Sequence, residues 1–488
     1  MFSKVEPKPV FPQLESVVLK RWQAEQTFER SMERTREQPE FVFYDGPPFP
    51  TGSPHYGTIF VTILKDVIPR YKTMRGFYVP RAWGWDCHGL PVETQAEKNL
   101  GIKDKREIEQ RIGVKAFNDE CRKIVSSFNA AWKVYIDRIG RWVDFDHPYQ
   151  TLDASFMESV LWAFSEIYKK GLIYKDFRVS PYCYRCQTAL SVSDTRMDDA
   201  TRMKQDRAIT VKFRVRGAEN TFFLAWTTTP WTLPSNLALA VGPDISYVYV
   251  SKEGETLILA KSALGRYKKE LEGATIVREL TGRELVAEQL RYEPLFPYFR
   301  ETASNLFQVL AADFVGTDDG AGIVHLAPAF GEDDYWAGRQ AGISPICPVD
   351  EQGCFTAEVT DFAGRNVHDA NADVIRHLKN QGLVIRDETI EHNYPHCWRC
   401  RTALIYKALD AWYLSVEKIK DRLIKRNEEI SWYPATIKYG RFGKWLENAR
   451  DWNISRNRYW ATPIPVWECT KCKKRDVPGS IQEIEERA

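Results

Sequence analysis

Three absences narrow what this chain can be. No apolar run is long enough to cross a membrane, and the charged, proline-bearing N-terminus lacks the layout of a signal peptide. A cytoplasmic location is therefore expected, with no membrane partner. An excess of one charge is also missing, since 68 Lys and Arg face 66 Asp and Glu, a net of +2. Bulk basicity thus does not announce a nucleic-acid binder, and any RNA contact must come from local patches. One such patch is 450–458, with arginines set around Trp452. The third absence is in the glycine-bearing loop at 45–58, which has neither the P-loop lysine nor the dinucleotide glycine spacing.

What is present fits a globular protein. The chain has 488 residues, room for two or three domains, with 43% hydrophobic and 27% charged residues. Sixteen tryptophans and 13% aromatics suggest large cores and some stacking surfaces. In the stretch 41–58, FVFYDGPPFPTGSPHYGT, an apolar run at 41–44 reads as a buried strand. It enters a Pro/Gly loop, and apolar periodicity resumes over 59–71 as a helix. Strand, loop and helix N-terminus together offer backbone N–H groups and a positive dipole end to phosphates. His55 at the helix start can donate to a phosphate, and Gly57 lets a ribose or base approach the backbone. The same residues also fit an ordinary turn.

Six of ten cysteines form three C-x-x-C pairs, Cys183/Cys186, Cys397/Cys400 and Cys469/Cys472. PYCYRCQTAL at 181–190 and PHCWRCRTAL at 395–404 agree at seven of ten positions. This repeat predicts two half-knuckles that meet in a four-thiolate zinc site, structural because no ligand position is left open for water. The third pair has no partner pair between Cys472 and Ala488, so Cys469 and Cys472 are left as a second candidate metal site.

Along the chain, 1–40 is charged and helical in pattern, with one helix expected over 14–31. Residues 41–180 carry strand–loop–helix units, an amphipathic stretch at 115–141 and a helix at 156–170. The first half-knuckle is placed at 181–199. From 200 to 392 the texture changes to short β-rich runs at 209–215, 221–227, 247–250, 257–259, 306–311 and 322–326. That pattern predicts an inserted β-barrel-like domain. The second half-knuckle comes next, at 393–405, and a return to the first domain at 406–488. Two segments of the insertion stand out. WTTTPWTLPSN (226–236) has three consecutive threonines at a strand end, which also suits a plain strand edge. GAGIVHLAPAFGEDD (320–334) places His325 on a buried-looking strand and an acidic cluster at a helix start, which also fits a core histidine and an N-cap.

The combination resembles the class I aminoacyl-tRNA synthetases. Their HIGH motif sits where His55 to Thr58 lie, and GWDCHGLPVE (84–93), SRNRYW (455–460) and TPIP (462–465) look like the isoleucyl branch. The fourth HIGH position is usually histidine and is Thr58 here, a hydroxyl that can bond a phosphate but carries no charge. The resemblance implies a Rossmann-like α/β catalytic core interrupted by an editing domain on zinc knuckles. It implies ATP with Mg2+ along Pro54, His55, Gly57 and Thr58, with His55 and Thr58 catalytic, and the amino acid at Gly46, Pro47 and Asp86. The implied activity is ATP-dependent activation of isoleucine and its transfer to tRNA(Ile), by a monomer, with hydrolysis of mischarged valyl-tRNA(Ile). For that hydrolysis, Thr227, Thr228 and Thr229 would position the terminal adenosine and a water, and Asn236 would lie near the ribose. His325 would bound the side-chain pocket and Asp334 would hold the α-ammonium. A KMSKS-like loop is missing, so the sequence is expected to be the N-terminal part of a longer synthetase. The rival readings are a stand-alone hydrolase of mischarged tRNA and the valyl enzyme.

Overall fold

The computed structural model describes residues 7–50, 52–195 and 200–487. Positions 1–6 of the expected N-terminal segment and 196–199 of the expected first half-knuckle lie outside them. The described chain divides into two units, Met1–Ile173 with Arg458–Ala488, and Tyr174–Asn457.

The first unit is mostly helical. The single helix expected over 14–31 is two, Phe11–Ala24 and Thr27–Thr35, because Gln26 between them adopts a left-handed backbone (φ 48°). The amphipathic stretch at 115–141 is likewise divided, into Val114–Ser127 and Asn129–Arg138. Helix Tyr56–Met74 starts three residues earlier than periodicity predicts. The run at 41–44 is not a laddered strand. It is extended chain anchored by a bridge between Glu40 and Tyr78, and Val42 and Tyr44 are exposed. Two parallel strands, Ala82–Trp85 and Asp144–Gln150, form this unit's parallel sheet among the described residues. Trp83 and Trp85 of the first strand pack in a tryptophan-rich core with Phe117 and Trp132 from the helices, to which the chain adds Trp460. Glu93 fixes that return. Its carboxylate pairs with Arg458 at 3.0 Å and accepts from the backbone N–H groups of Tyr459 and Trp460, both at 2.9 Å. A nearly buried charge pair is tolerable when its remaining lone pairs are satisfied in this way.

The second unit is built on β-sheet. Six strands run in the order Thr275–Thr281, Ser246–Lys252, Glu255–Ala260, Thr221–Thr227, Thr201–Arg214 and Val384–Pro395. The apolar sequence TFFLAWT suits its central position, with Phe222 to Ala225 all buried. A three-stranded sheet, Gln308–Ala311, Ala238–Val241 and Ile323–Leu326, completes the core with Phe213, Phe223, Tyr247 and Tyr292. The expected barrel-like closure is absent among the described residues. Thr275–Thr281 and Val384–Pro395 are the two edges of an open sheet and do not pair with each other among the described residues. A four-stranded sheet joins Ile173–Cys183 to Ile405–Leu414. For that reason the second unit extends from Tyr174 to Asn457, beyond the insertion limits of 200 and 392 read from texture.

Candidate functional sites

In the first unit, His55 is the extended residue that starts helix Tyr56–Met74, and it is exposed. Thr58 Oγ1 accepts from the His55 backbone N–H at 3.3 Å, a helix-capping contact that holds the turn closed. Gly57 matters sterically, because a Cβ there would sit 3.1 Å from the His55 ring. The next loop is tied to the same helix. Lys65 Nζ donates to Gly46 O at 2.7 Å and pairs with Asp45, which also pairs with Arg141 at 2.5 Å. Lys65 and Arg141 were not foreseen, since their partner lies far off in sequence. Asp86 is half-buried and has neither an ion pair nor a side-chain hydrogen bond among the described residues. Burial pushes its carboxyl pKa up. A carboxylate left in that state has an unmet demand for a cation.

In the second unit, the repeat does bring the four thiols together. The sulfur atoms of Cys183, Cys186, Cys397 and Cys400 lie within 4.8 Å of one another, with Cys183 and Cys400 at 3.4 Å. Tetrahedral zinc with Zn–S bonds of about 2.3 Å needs S–S separations of about 3.8 Å, so the donor set fits that ion. The backbone repeats as well. Gln187 and Arg401, each following the second cysteine of its pair, are both left-handed. Leu190 N bonds Pro181 O as Leu404 N bonds Pro395 O. Cys469 and Cys472 flank the same kind of backbone turn in the first unit. Lys473 is left-handed, Cys469 N donates to Lys474 O, and Lys473 N donates to Cys469 O. Cys397 N→Thr402 O and Arg401 N→Cys397 O are its counterparts. Cys469 and Cys472 are both exposed.

The threonine and histidine segments also meet. Leu237 N bonds Leu326 O at 2.9 Å, and the Trp231 and Phe330 rings meet edge-on at 4.9 Å. Thr227 Oγ1 accepts from Thr229 N at 3.1 Å and lies 3.3 Å from Thr229 Oγ1. Thr232, absent from the sequence-based site, closes the cluster. It donates to Thr229 O at 2.8 Å and stands 3.1 Å from His325 Nε2. Its one legible hint was a hydroxyl three residues on in a Pro-containing turn. His325 is 7% exposed, and burial lowers its pKa to about 4, so the ring is neutral at pH 7. Asp334 lies in the first turn of helix Glu332–Gln340 and accepts from Ala327 N at 2.8 Å. Burial pushes its pKa up to about 7. Gly331 makes room for it, as a Cβ there would lie 2.7 Å from the carboxyl carbon. Thr228 is half-buried at the same turn. Asn236, expected near the ribose, follows the turn Pro230–Ser235. It is buried, donates to Ala238 O and accepts from Tyr292 Oη at 2.7 Å, so its amide is occupied in holding the strand. Asn371, also unforeseen, pins the turn through Trp231 N at 2.9 Å.

A family profile described as tRNA synthetases class I (I, L, M and V) matches residues 17–488, and the chain belongs to that family. Among curated relatives, proteins named isoleucine–tRNA ligase are about half identical to it. The one from Mycobacterium leprae (strain TN) is 49% identical over 98% of this chain and 46% of its own length. That from Corynebacterium diphtheriae is 50% identical over 98% of this chain and 47% of its own. The chain thus spans about half the length of the curated relatives it matches. A solved ternary complex, Agrobacterium radiobacter K84 agnB2 LeuRS-tRNA-LeuAMS, is similar at 17% identity and a TM-score of 0.37, covering 95% of this chain and 52% of that one. No helix among the described residues is long and apolar enough to cross a membrane.

Proposed function

We infer that this chain carries the activating and editing parts of an isoleucine–tRNA ligase. The carrying observation is the hydroxyl–imidazole cluster of Thr227, Thr229, Thr232 and His325, with the half-buried carboxyl of Asp334 held at Ala327 N, two residues past that histidine. It occurs in a chain about 49% identical to isoleucine–tRNA ligases over 98% of its length. In this reading the insertion hydrolyses valyl-tRNA(Ile). Asp334 as carboxylate holds the substrate ammonium, and the threonines orient a water. The water oxygen bonds the ester carbonyl carbon and the bond to the ribose oxygen breaks, the proton leaving with the ribose hydroxyl. His325, neutral and rigidly held, limits the side-chain pocket. A second site is needed because one methylene discriminates by only about 1–3 kcal/mol. The isoleucine–valine pair is the standard illustration of that limit.

In the activating part, ATP with its magnesium lies along the start of helix Tyr56–Met74, with His55 and the free backbone N–H groups toward the phosphates. Asp86 takes the isoleucine ammonium, and Gly46 and Pro47 line the pocket. The four thiolates of Cys183, Cys186, Cys397 and Cys400 hold a structural zinc. Cys469 and Cys472 supply two ligands of a second. The deciding experiment follows loss of valine from valyl-tRNA(Ile) beside isoleucyl-tRNA(Ile), with the chain and with Asp334→Ala. Selective hydrolysis that the variant abolishes supports the reading. Hydrolysis untouched by the variant, or without preference for valine, contradicts it.

A further inference from the structure

A small helical layer in the second unit has an outer face that the fold does not need. Helices Lys420–Asn427, Thr436–Tyr439 and Arg441–Glu447 are knit by Trp432 Nε1 donating to Asn427 Oδ1 at 2.7 Å and Asn427 Nδ2 donating to Lys438 O at 3.0 Å. Gly443 and Leu446 form the buried side of the last helix. On its outer side, Arg441, Lys444 and Trp445 stand at i, i+3 and i+4 and so share one face. All three are exposed, the indole by 58%. The indole is nevertheless held, because the rings of Trp432, Phe442 and Trp445 form a ladder with spacings of 4.6 and 5.5 Å.

The charge around it is one-sided. Residues 420–450 hold eight Lys and Arg against four Asp and Glu, although the whole chain is only +2. Neither Arg441 nor Lys444 has an ion-pair partner among the described residues, and the neighbouring helix adds exposed Arg422 and Lys425 on the same terms. A held, exposed indole flanked by two unpaired cations can stack on a base while the cations meet the adjoining phosphates. We propose that the Arg441–Lys444–Trp445 face docks a single-stranded segment of RNA. The proposal rests on the reading that tRNA is this chain's substrate, and adds a place where it is gripped outside both reaction pockets. A double helix would use the cations without the indole, and an apolar protein surface the indole without the cations.

The test measures fluorescence anisotropy of a labelled single-stranded RNA hexamer and of a hairpin of the same composition, from about 50 to 200 mM salt. The intact chain is compared with Trp445→Ala, Trp445→Phe and the double variant Arg441→Gln/Lys444→Gln, each confirmed folded by its melting curve. The expected result is about tenfold weaker hexamer binding for Trp445→Ala, near-normal binding for Trp445→Phe, and no change for the hairpin. The double variant should lower the salt slope by about 1.4, roughly 0.7 for each lost phosphate contact. Equal affinity of Trp445→Ala for the hexamer overturns the proposal, as does an unchanged salt slope or no RNA binding at all. Hydrolysis by Asp334→Ala, assayed beside these, separates the two readings. Its persistence contradicts the editing site, whereas hexamer affinity alone decides the docking face.

Discussion

The Thr232 hydroxyl stands between two partners, Thr229 O at 2.8 Å and His325 Nε2 at 3.1 Å. That contact holds the imidazole in place through Nε2, while Nδ1 is buried with no partner among the described residues. A neutral ring locked in one orientation is a wall as much as a hydrogen-bonding group.

Removing that wall should relax selectivity. His325→Ala is expected to hydrolyse isoleucyl-tRNA(Ile) at a rate approaching that for valyl-tRNA(Ile), measured as release of each labelled amino acid. Thr232→Val should keep the volume but lose both hydrogen bonds, at about 1 kcal/mol each, seen as a lower denaturation midpoint together with slower hydrolysis.

Asp334 sets the expected pH dependence. Its pKa of about 7 lies above the ordinary 3.8, so the folded state holds an extra proton between those values and loses stability as pH rises through that window. Asp334→Asn should therefore be more stable than the parent at pH 8, by no more than about 4 kcal/mol, and about equal to it near pH 4. Denaturant titrations at the two pH values check this. Ammonium binding needs the carboxylate, so kcat/KM for hydrolysis should climb with pH and level off above about 7.

Gly331→Ala is predicted to damage hydrolysis through contact alone. A methyl 2.7 Å from the Asp334 carboxyl carbon must displace that group, and a small displacement of a positioned group costs on the order of 100-fold. A single-turnover assay should show the loss in the chemical step.

Metal content should follow the four-thiol cluster. Cys183→Ser or Cys400→Ser is expected to lose one zinc per chain and lower the melting temperature, while Cys354→Ser, outside the four-thiol set, keeps it. Mass-spectrometric metal analysis after dialysis decides, and retention of zinc by Cys183→Ser would exclude the site.

His55→Ala should weaken ATP binding by about tenfold, the loss of one charge-assisted or strong hydrogen bond of about 1.5 kcal/mol, without slowing hydrolysis in the insertion. Calorimetric titration with ATP beside the hydrolysis assay tests both halves of that statement.

Much of this site could be read in advance where signals were local or repeated. The paired cysteine decapeptides foretold a cluster between residues more than 200 positions apart, because each copy carries its own turn and the match implies a meeting. The insertion's strands were legible from β-branched and aromatic runs such as Thr221–Thr227. What escaped depends on partners that are distant in sequence. Lys65 on Gly46 O and Asn371 on Trp231 N leave no trace in their neighbours. The resemblance places Asn236 near the ribose, but nothing in its neighbours announces the hydrogen bond from Tyr292, 56 residues away. The residues at 41–44 are apolar enough for a buried strand, but strand formation needs a neighbour to pair with. The broken first helix turns on one left-handed glutamine, a conformation composition does not announce.

The knuckles also bear on the polymer physics of the chain. Each closes on its own backbone hydrogen bonds, Leu190 N to Pro181 O in one and Leu404 N to Pro395 O in the other. A zinc bound by Cys186 and Cys397 would then act as a covalent-like staple across a loop of about 200 residues. By the loop-closure relation it removes unfolded-chain entropy worth about 5 kcal/mol, comparable to the whole net stability of many domains. In those terms the small cluster of sulfurs, once loaded, would govern how the entire insertion unfolds: as a tethered loop while the ion is held, and as free chain once it is lost.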